Sequence, residues 1–194
     1  HLRDADLAMK QGIWDKTRFV GHELHGKTLA IIGLGNIGRI VAQIGKAFGM
    51  NVIGFDTFLT QTQFTEIGVE KENTLSDLLS KADVLTIHIP KTPETTHLIG
   101  AKEFNLMKKT SMIIHCSRGG IIDEKALLKA LKEGIIGGAG IDTWEMEPKF
   151  NSELAAQHNV VAIPHLGAST DESQEKCIFD LIGQIFKFYG WNLF

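Results

Sequence analysis

The sequence predicts an α/β fold: a doubly wound parallel sheet of about six to seven strands, with linker helices at its flanks. Three observations carry this. Short, nearly continuous apolar runs recur along the chain, the form of strands covered by helices on both faces. Stretches of helical period lie between them. Nearly every chemically active polar residue directly follows an apolar run, which places it at the carboxyl end of a strand, where open α/β sheets bind ligands.

In chain order, residues 1–12 read as a helix ending near Gly12, followed by a loop that holds Trp14, Arg18, Phe19 and His22. Thr28–Ile32 is the first strand. Ile37, Ile40, Val41, Ile44, Ala47 and Phe48 then form one stripe of an amphipathic helix ending at Gly49. Further strands are expected at 51–55, 83–89, 111–115, 137–141 and 159–163. Leu75, Leu78 and Leu79 follow a Thr74 cap, and Leu127, Leu128 and Leu131 run from an Asp123 cap to Gly134. A last long helix is expected over 171–188, with Cys177, Ile178, Leu181, Ile182, Ile185 and Phe186 on one side. The apolar end, Tyr189 to Phe194, is expected to dock on something rather than to be solvated.

Composition narrows the function. The net charge of −3, with the basic residues scattered, argues against a nucleic acid or an anionic membrane as partner. No apolar run approaches the ~20 residues that span a bilayer. Cys116 and Cys177 are too few for a disulfide scaffold, and a reducing cytoplasm is expected. No metal site is expected: His22 and His25 are spaced as ligands could be, but lack a third ligand and read as loop residues. Glycine makes up 20 of 194 residues, above the usual ~7%, and the first residue is not Met.

The glycines explain themselves at Gly33-Leu34-Gly35-Asn36-Ile37-Gly38. This G-x-G-x-x-G follows a strand, opens a helix, and has Asp56 closing the next strand, 23 residues beyond Gly33. Gly33 suits a tight turn, Gly35 a close approach to a pyrophosphate, and Gly38 close packing of helix on strand. The N–H groups of Asn36 and Ile37 point at the phosphates. A carboxylate at Asp56 accepts hydrogen bonds from an adenosine ribose and repels a 2′-phosphate, so NAD is expected rather than NADP.

The other strand ends carry His88 with Pro90, Arg118, Asp142, and Pro164 with His165. Moving hydride to or from a carbon requires a proton to move on the attached oxygen, and His165 suits that role. Glu147 could fix the imidazole's tautomer, and Arg118 could hold a substrate carboxylate, with Gly119 and Gly120 leaving room for the ligand. Cys116 reads as a packed thiol, Lys108-Lys109 as a solvated helix end, and His97 and His115 have no clear partner.

Over residues 10–175 these motifs resemble the D-isomer-specific 2-hydroxyacid dehydrogenases. The match includes Gly33-x-Gly35-x-x-Gly38-x-x-x-Ala42, His88-x-Pro90-x-Thr92-x-x-Thr95, Ser117-Arg118-Gly119-Gly120, Gly140-Ile141-Asp142, Glu147-Pro148 and the run Pro164 to Thr170. The resemblance implies a Rossmann-type domain in which His165 is the acid/base, Glu147 its partner and Arg118 the substrate-orienting residue. It implies that Asn36, Ile37, Asp56, Ile89, Thr95, Cys116, Ser117, Asp142, His165 and Gly167 line the NAD site, Asp142 near the nicotinamide carboxamide. It further implies a small 2-hydroxy or 2-keto acid as substrate and a homodimer through the cofactor domain. His115 is a departure, since members usually carry Asn there. By the same resemblance, residues 1–25 are a linker helix and loop from a substrate lobe, 26–170 the NAD-binding domain, and 171–194 a helix returning to that lobe. An NAD(H)-sensing module of the corepressor type, or a dimerisation unit without activity, stays open beside the enzyme.

Overall fold

The computed structural model describes residues 1–191. Its sheet has seven parallel strands: β1 (Thr28–Ile32), β2 (Asn51–Phe55), β3 (Glu70–Lys71), β4 (Val84–Ile87), β5 (Met112–His115), β6 (Gly138–Ile141) and β7 (Val160–Ala162). Their order is β3-β2-β1-β4-β5-β6-β7, so the winding reverses between β1 and β4. Register levels one edge of the sheet. Ile32, Phe55, Ile87, His115, Ile141 and Ala162 form a single row across the strands. Gly33, Asp56, His88, Cys116 and Asp142, each one residue further along, therefore emerge together at the carboxyl edge.

The helices are α1 (Leu2–Lys10), α2 (Asn36–Ala47), α3 (Gln61–Ile67), α4 (Leu75–Lys81), α5 (Ala101–Phe104), α6 (Glu124–Lys132), α7 (Ser152–Ala155) and α8 (Asp171–Tyr189). Thr60 and Gln63 form a reciprocal cap on α3, Thr74 caps α4 and Asp123 caps α6 through the N–H groups of Lys125 and Ala126. Strand ends are trimmed by one or two residues relative to the apolar runs. The very short β3 and the short α3, α5 and α7 carry no strong periodicity, which is why the runs did not announce them.

Two apolar clusters sandwich the sheet. The smaller joins Leu29, Ile31, Leu34, Ala42, Phe64 and Val69; the larger includes Leu78, Leu79, Leu85, Ile87, Phe104, Ile113, Leu127 and Ile141. Each fully buried side chain of this size contributes about 1.5–3 kcal/mol. The stripe on α2 meets this core only at Val41, which packs on the smaller cluster. The helix lies on the sheet through Gly38, Ala42 and Gly45, while Ile37, Ile40, Ile44 and Phe48 are exposed. Small residues allow that close approach, and the rest of the apolar stripe is left outward.

The flanks also hold apolar surface outward. Helix α8 buries no residue, and Ile178, Phe179, Leu181, Ile182, Ile185, Phe188 and Tyr189 are exposed on it. Trp191 stacks on Tyr189; Asn192, Leu193 and Phe194, the rest of the apolar end, lie outside the described residues. In the N-terminal segment a 3-10 turn, Lys16–Phe19, occupies part of the expected loop.

Candidate functional site

The turn after β1 is built by missing side chains. Gly33 has φ +87°, and a Cβ there would lie 2.6 Å from Ile89 Cγ2 and 2.7 Å from the His88 carbonyl oxygen. A Cβ on Gly38 would stand 2.0 Å from the Gly33 carbonyl oxygen, so only glycine lets α2 begin so close to the strand. A Cβ on Gly35 meets nothing within 4 Å and would project into open space. Gly35 is also the N-cap of α2 and offers no side chain to its first-turn N–H groups. Open space in front of bare amides at a helix N-terminus suits a pyrophosphate.

Leu34 is pinned from both sides. Its N–H donates to Asp56 Oδ2 (2.9 Å), and its carbonyl accepts from Arg39 Nε (2.9 Å). Asp56 Oδ1 accepts from the Phe58 N–H. The carboxylate is half-buried at the end of β2 and fits a ribose acceptor that also holds the turn. The glycine cradle, the open helix end and this acidic side chain together fit a dinucleotide.

Across the crevice the site is made of side chains on loops. His165 Nδ1 lies 2.8 Å from Glu147 Oε2, and the Trp144 N–H donates to Glu147 Oε1 (2.8 Å). That backbone donor, and then His165, hold the Glu147 carboxyl below the usual carboxylate range. His165 has φ +52°, a backbone state that costs a non-glycine residue energy. Asp142, only 2% exposed, stabilises it: the Asp142 carbonyl accepts from the His165 N–H, and its carboxylate accepts from the N–H groups of Leu166 (2.6 Å) and Gly167 (2.9 Å). Hydrogen bonds to a charged group contribute about 1.5–3 kcal/mol each. The Trp144 indole donates to the Ile163 carbonyl (3.0 Å), tying the Glu147 loop to the strand that leads to His165.

Most of the expected site residues gather at this edge, but several are used differently from their sequence reading. Gly119 serves packing rather than ligand approach, since its Cβ would lie 1.8 Å from the Trp144 carbonyl oxygen. The Thr95 hydroxyl is committed inside its own loop, donating to the Pro90 carbonyl (2.8 Å). His88 faces the Thr86 hydroxyl (3.0 Å), and burial pushes its pKa down. Cys116 is exposed rather than packed, and partial burial, then Asp142, raise its thiol pKa. Ser117 is buried, while Arg118 is exposed and donates from Nη1 to the Ser117 carbonyl. His97 has a partner after all, Glu145, at 3.0 Å. Lys108 is not a solvated helix end: it pairs with Asp83 at 2.8 Å. Arg39 and Trp144 escaped the sequence reading. The Trp144–Ile163 contact joins residues 19 apart and leaves no local signal.

Fold and crevice define the class: a dinucleotide-binding domain of the doubly wound type. A family model described as the NAD binding domain of D-isomer specific 2-hydroxyacid dehydrogenases matches residues 1–167, and the chain belongs to that family. NAD is the cofactor of such a domain. Among curated relatives, a D-3-phosphoglycerate dehydrogenase of Methanocaldococcus jannaschii is 47% identical over 90% of this chain, and a glyoxylate reductase of Thermococcus litoralis is 42% identical over 89%. The chain spans 33% of the length of the first and 54% of the second. Of solved structures, a D-lactate dehydrogenase from Aquifex aeolicus complexed with NAD and lactic acid superposes with a TM-score of 0.85 at 31% identity, covering 97% of this chain and 61% of that one. Among the described residues no helix is long and apolar enough to cross a membrane.

Proposed function

We propose that this chain is the cofactor half of an NAD-dependent D-2-hydroxyacid dehydrogenase, and that the whole enzyme oxidises D-3-phosphoglycerate. The observation that carries the chemistry is the His165–Glu147 pair, 2.8 Å apart at the edge of the nucleotide crevice. An ionised Glu147 accepts from Nδ1–H and so leaves Nε2 as the lone pair turned to the substrate. His165 takes the hydroxyl proton as the alcohol carbon loses hydride, and returns it in reduction. Arg118 holds the substrate carboxylate through its planar guanidinium. Bound NAD supplies the hydride acceptor. Asn36, Ile37 and Asp56 would hold its phosphates and ribose; His88, Ile89, Pro90, Thr95, Cys116, Ser117 and Gly167 would line the rest of its site, with Asp142 near the nicotinamide carboxamide.

The 3-phosphoglycerate reading rests on the identity to D-3-phosphoglycerate dehydrogenases. Reduction of glyoxylate or hydroxypyruvate is the second reading, favoured by the glyoxylate reductase relative. The exposed apolar side of α8 supports a role for 171–194 as a return helix, packed with residues 1–25 on a substrate lobe. The outward stripe Ile37, Ile40, Ile44 and Phe48 supports a homodimer through the cofactor domain. Two free cysteines fit a reducing, cytoplasmic setting.

The test is an NADH-coupled assay of the whole enzyme with 3-phosphohydroxypyruvate, glyoxylate and hydroxypyruvate. The first is expected to give the highest kcat/KM. His165→Ala is expected to lower it about 10²–10⁴-fold, a fall carried mainly by kcat. Full activity in that variant would remove His165 from the mechanism.

A further inference from the structure

Behind the catalytic loops lies a cluster that the cofactor reading does not use. His115 ends β5 and is 3% exposed, and Thr143, just past β6, is 1% exposed. Neither ring nitrogen of His115 nor the hydroxyl of Thr143 has a well-formed hydrogen-bond partner among the described residues, although the Arg118 backbone lies beside the imidazole. The two side chains line one small cavity with Glu124, the first residue of α6, and with Ile122, Leu127 and Ile141. The space open to the centre of a water molecule is about 10 Å³, room for roughly one.

Burying a hydroxyl and an imidazole without partners costs free energy for each, so a polar occupant is called for. The donor set selects its chemistry. A neutral imidazole offers one lone pair, a hydroxyl one proton, and a carboxylate further lone pairs. A hard cation would need about six oxygens, more than this lining supplies. We infer that His115, Thr143 and Glu124 hold a single buried water molecule. It accepts from the Thr143 hydroxyl and donates to the unprotonated nitrogen of His115 and to the Glu124 carboxylate, while the remaining imidazole N–H faces the Arg118 backbone. Three hydrogen bonds are the usual number for a buried water.

The position gives this water work. His115 leads through Cys116 and Ser117 to Arg118, and Thr143 leads through Trp144 to Glu147. Glu124 meanwhile accepts from the Glu145 N–H at 2.6 Å, and Glu145 pairs with His97. The water therefore ties the strand end bearing Arg118 to the loop bearing Glu147 and to the start of α6. His115, Thr143 and Glu124 are positioning residues.

The sign of two substitutions tests this, independently of any cofactor. If the groups were unpartnered, His115→Leu and Thr143→Val would each relieve a buried polar atom and raise the denaturation midpoint. With a shared water each removes one of its partners and lowers the midpoint, and the double variant falls by less than the sum of the single losses. The Glu145 amide is expected to exchange with solvent faster in both variants. Cross-relaxation between a long-lived water and the Thr143 hydroxyl or the His115 ring is expected in the unsubstituted protein. A raised midpoint, additive losses, an unchanged Glu145 exchange rate or no such water signal overturns the proposal. NAD titration of the same variants keeps the readings apart, since loss of this water leaves saturable binding in place.

Discussion

On the β1–β3 side of the crevice the site is made of backbone and missing side chains, whereas on the β4–β7 side it is made of charged side chains held by hydrogen bonds. Gly33, Gly35 and Gly38 act through the contacts a Cβ would spoil or the space it would fill. Glu147, His165 and Asp142 act through atoms that must be aimed, and the aiming comes from Trp144 and from the backbone of the His165 turn. A site proposed for phosphates is thus built by excluding volume, and one proposed for proton transfer by restricting freedom.

Breaking the first side should cost most. Gly38→Ala sets a Cβ 2.0 Å from a backbone oxygen that cannot move without the strand. The expected loss is about 3 kcal/mol in denaturant unfolding, together with NAD binding in calorimetry. A variant as stable as the parent would mean that the helix and strand do not meet this closely.

The other side should respond to pH. His88 is half-buried and His115 buried there, and burial lowers the His115 pKa from 6.5 to about 4. Between those values the unfolded chain binds more protons than the folded one, so stability rises with pH and is lost as pH falls from about 6.5 to 4. The loss attributable to His115 is on the order of 3 kcal/mol across that window. His115→Asn should flatten the profile measured by unfolding at a series of pH values, whereas a flat profile in the parent would show that His115 is not buried neutral.

A milder perturbation separates aim from bulk. Asp142→Asn keeps the shape but turns one of two acceptors for the Leu166 and Gly167 amides into a donor. About 2 kcal/mol of stability should go. The Leu166 and Gly167 amides should exchange faster, with the glycine turn unaffected.

The two sides also differ in how much of each was legible. The strands, their parallel pairing and the glycine turn follow from local patterns, because periodicity and the cost of a Cβ are local physics. His165 and Glu147 could be chosen as chemistry-bearing residues from their places after apolar runs. What holds them could not: Asp142 reaches 24 and 25 residues along the chain, and Trp144 reaches 19. The stripe on α2 shows the same limit. An apolar face announces burial without saying against what, and on this helix the small residues took the sheet. Gly119 was read for a ligand and serves the Trp144 carbonyl, a contact visible only once two loops are brought together.

The central claim is that the crevice between β1 and β4 takes NAD through the glycine turn and Asp56. Its most direct test is calorimetric titration of the 194-residue chain with NAD and NADP, repeated on Asp56→Ala. Saturable NAD binding, weaker NADP binding, and a loss of about tenfold or more in NAD affinity for the variant are expected, the effect of removing a charged hydrogen-bond partner. Equal affinity for the two dinucleotides, or an unchanged NAD affinity in Asp56→Ala, would contradict it.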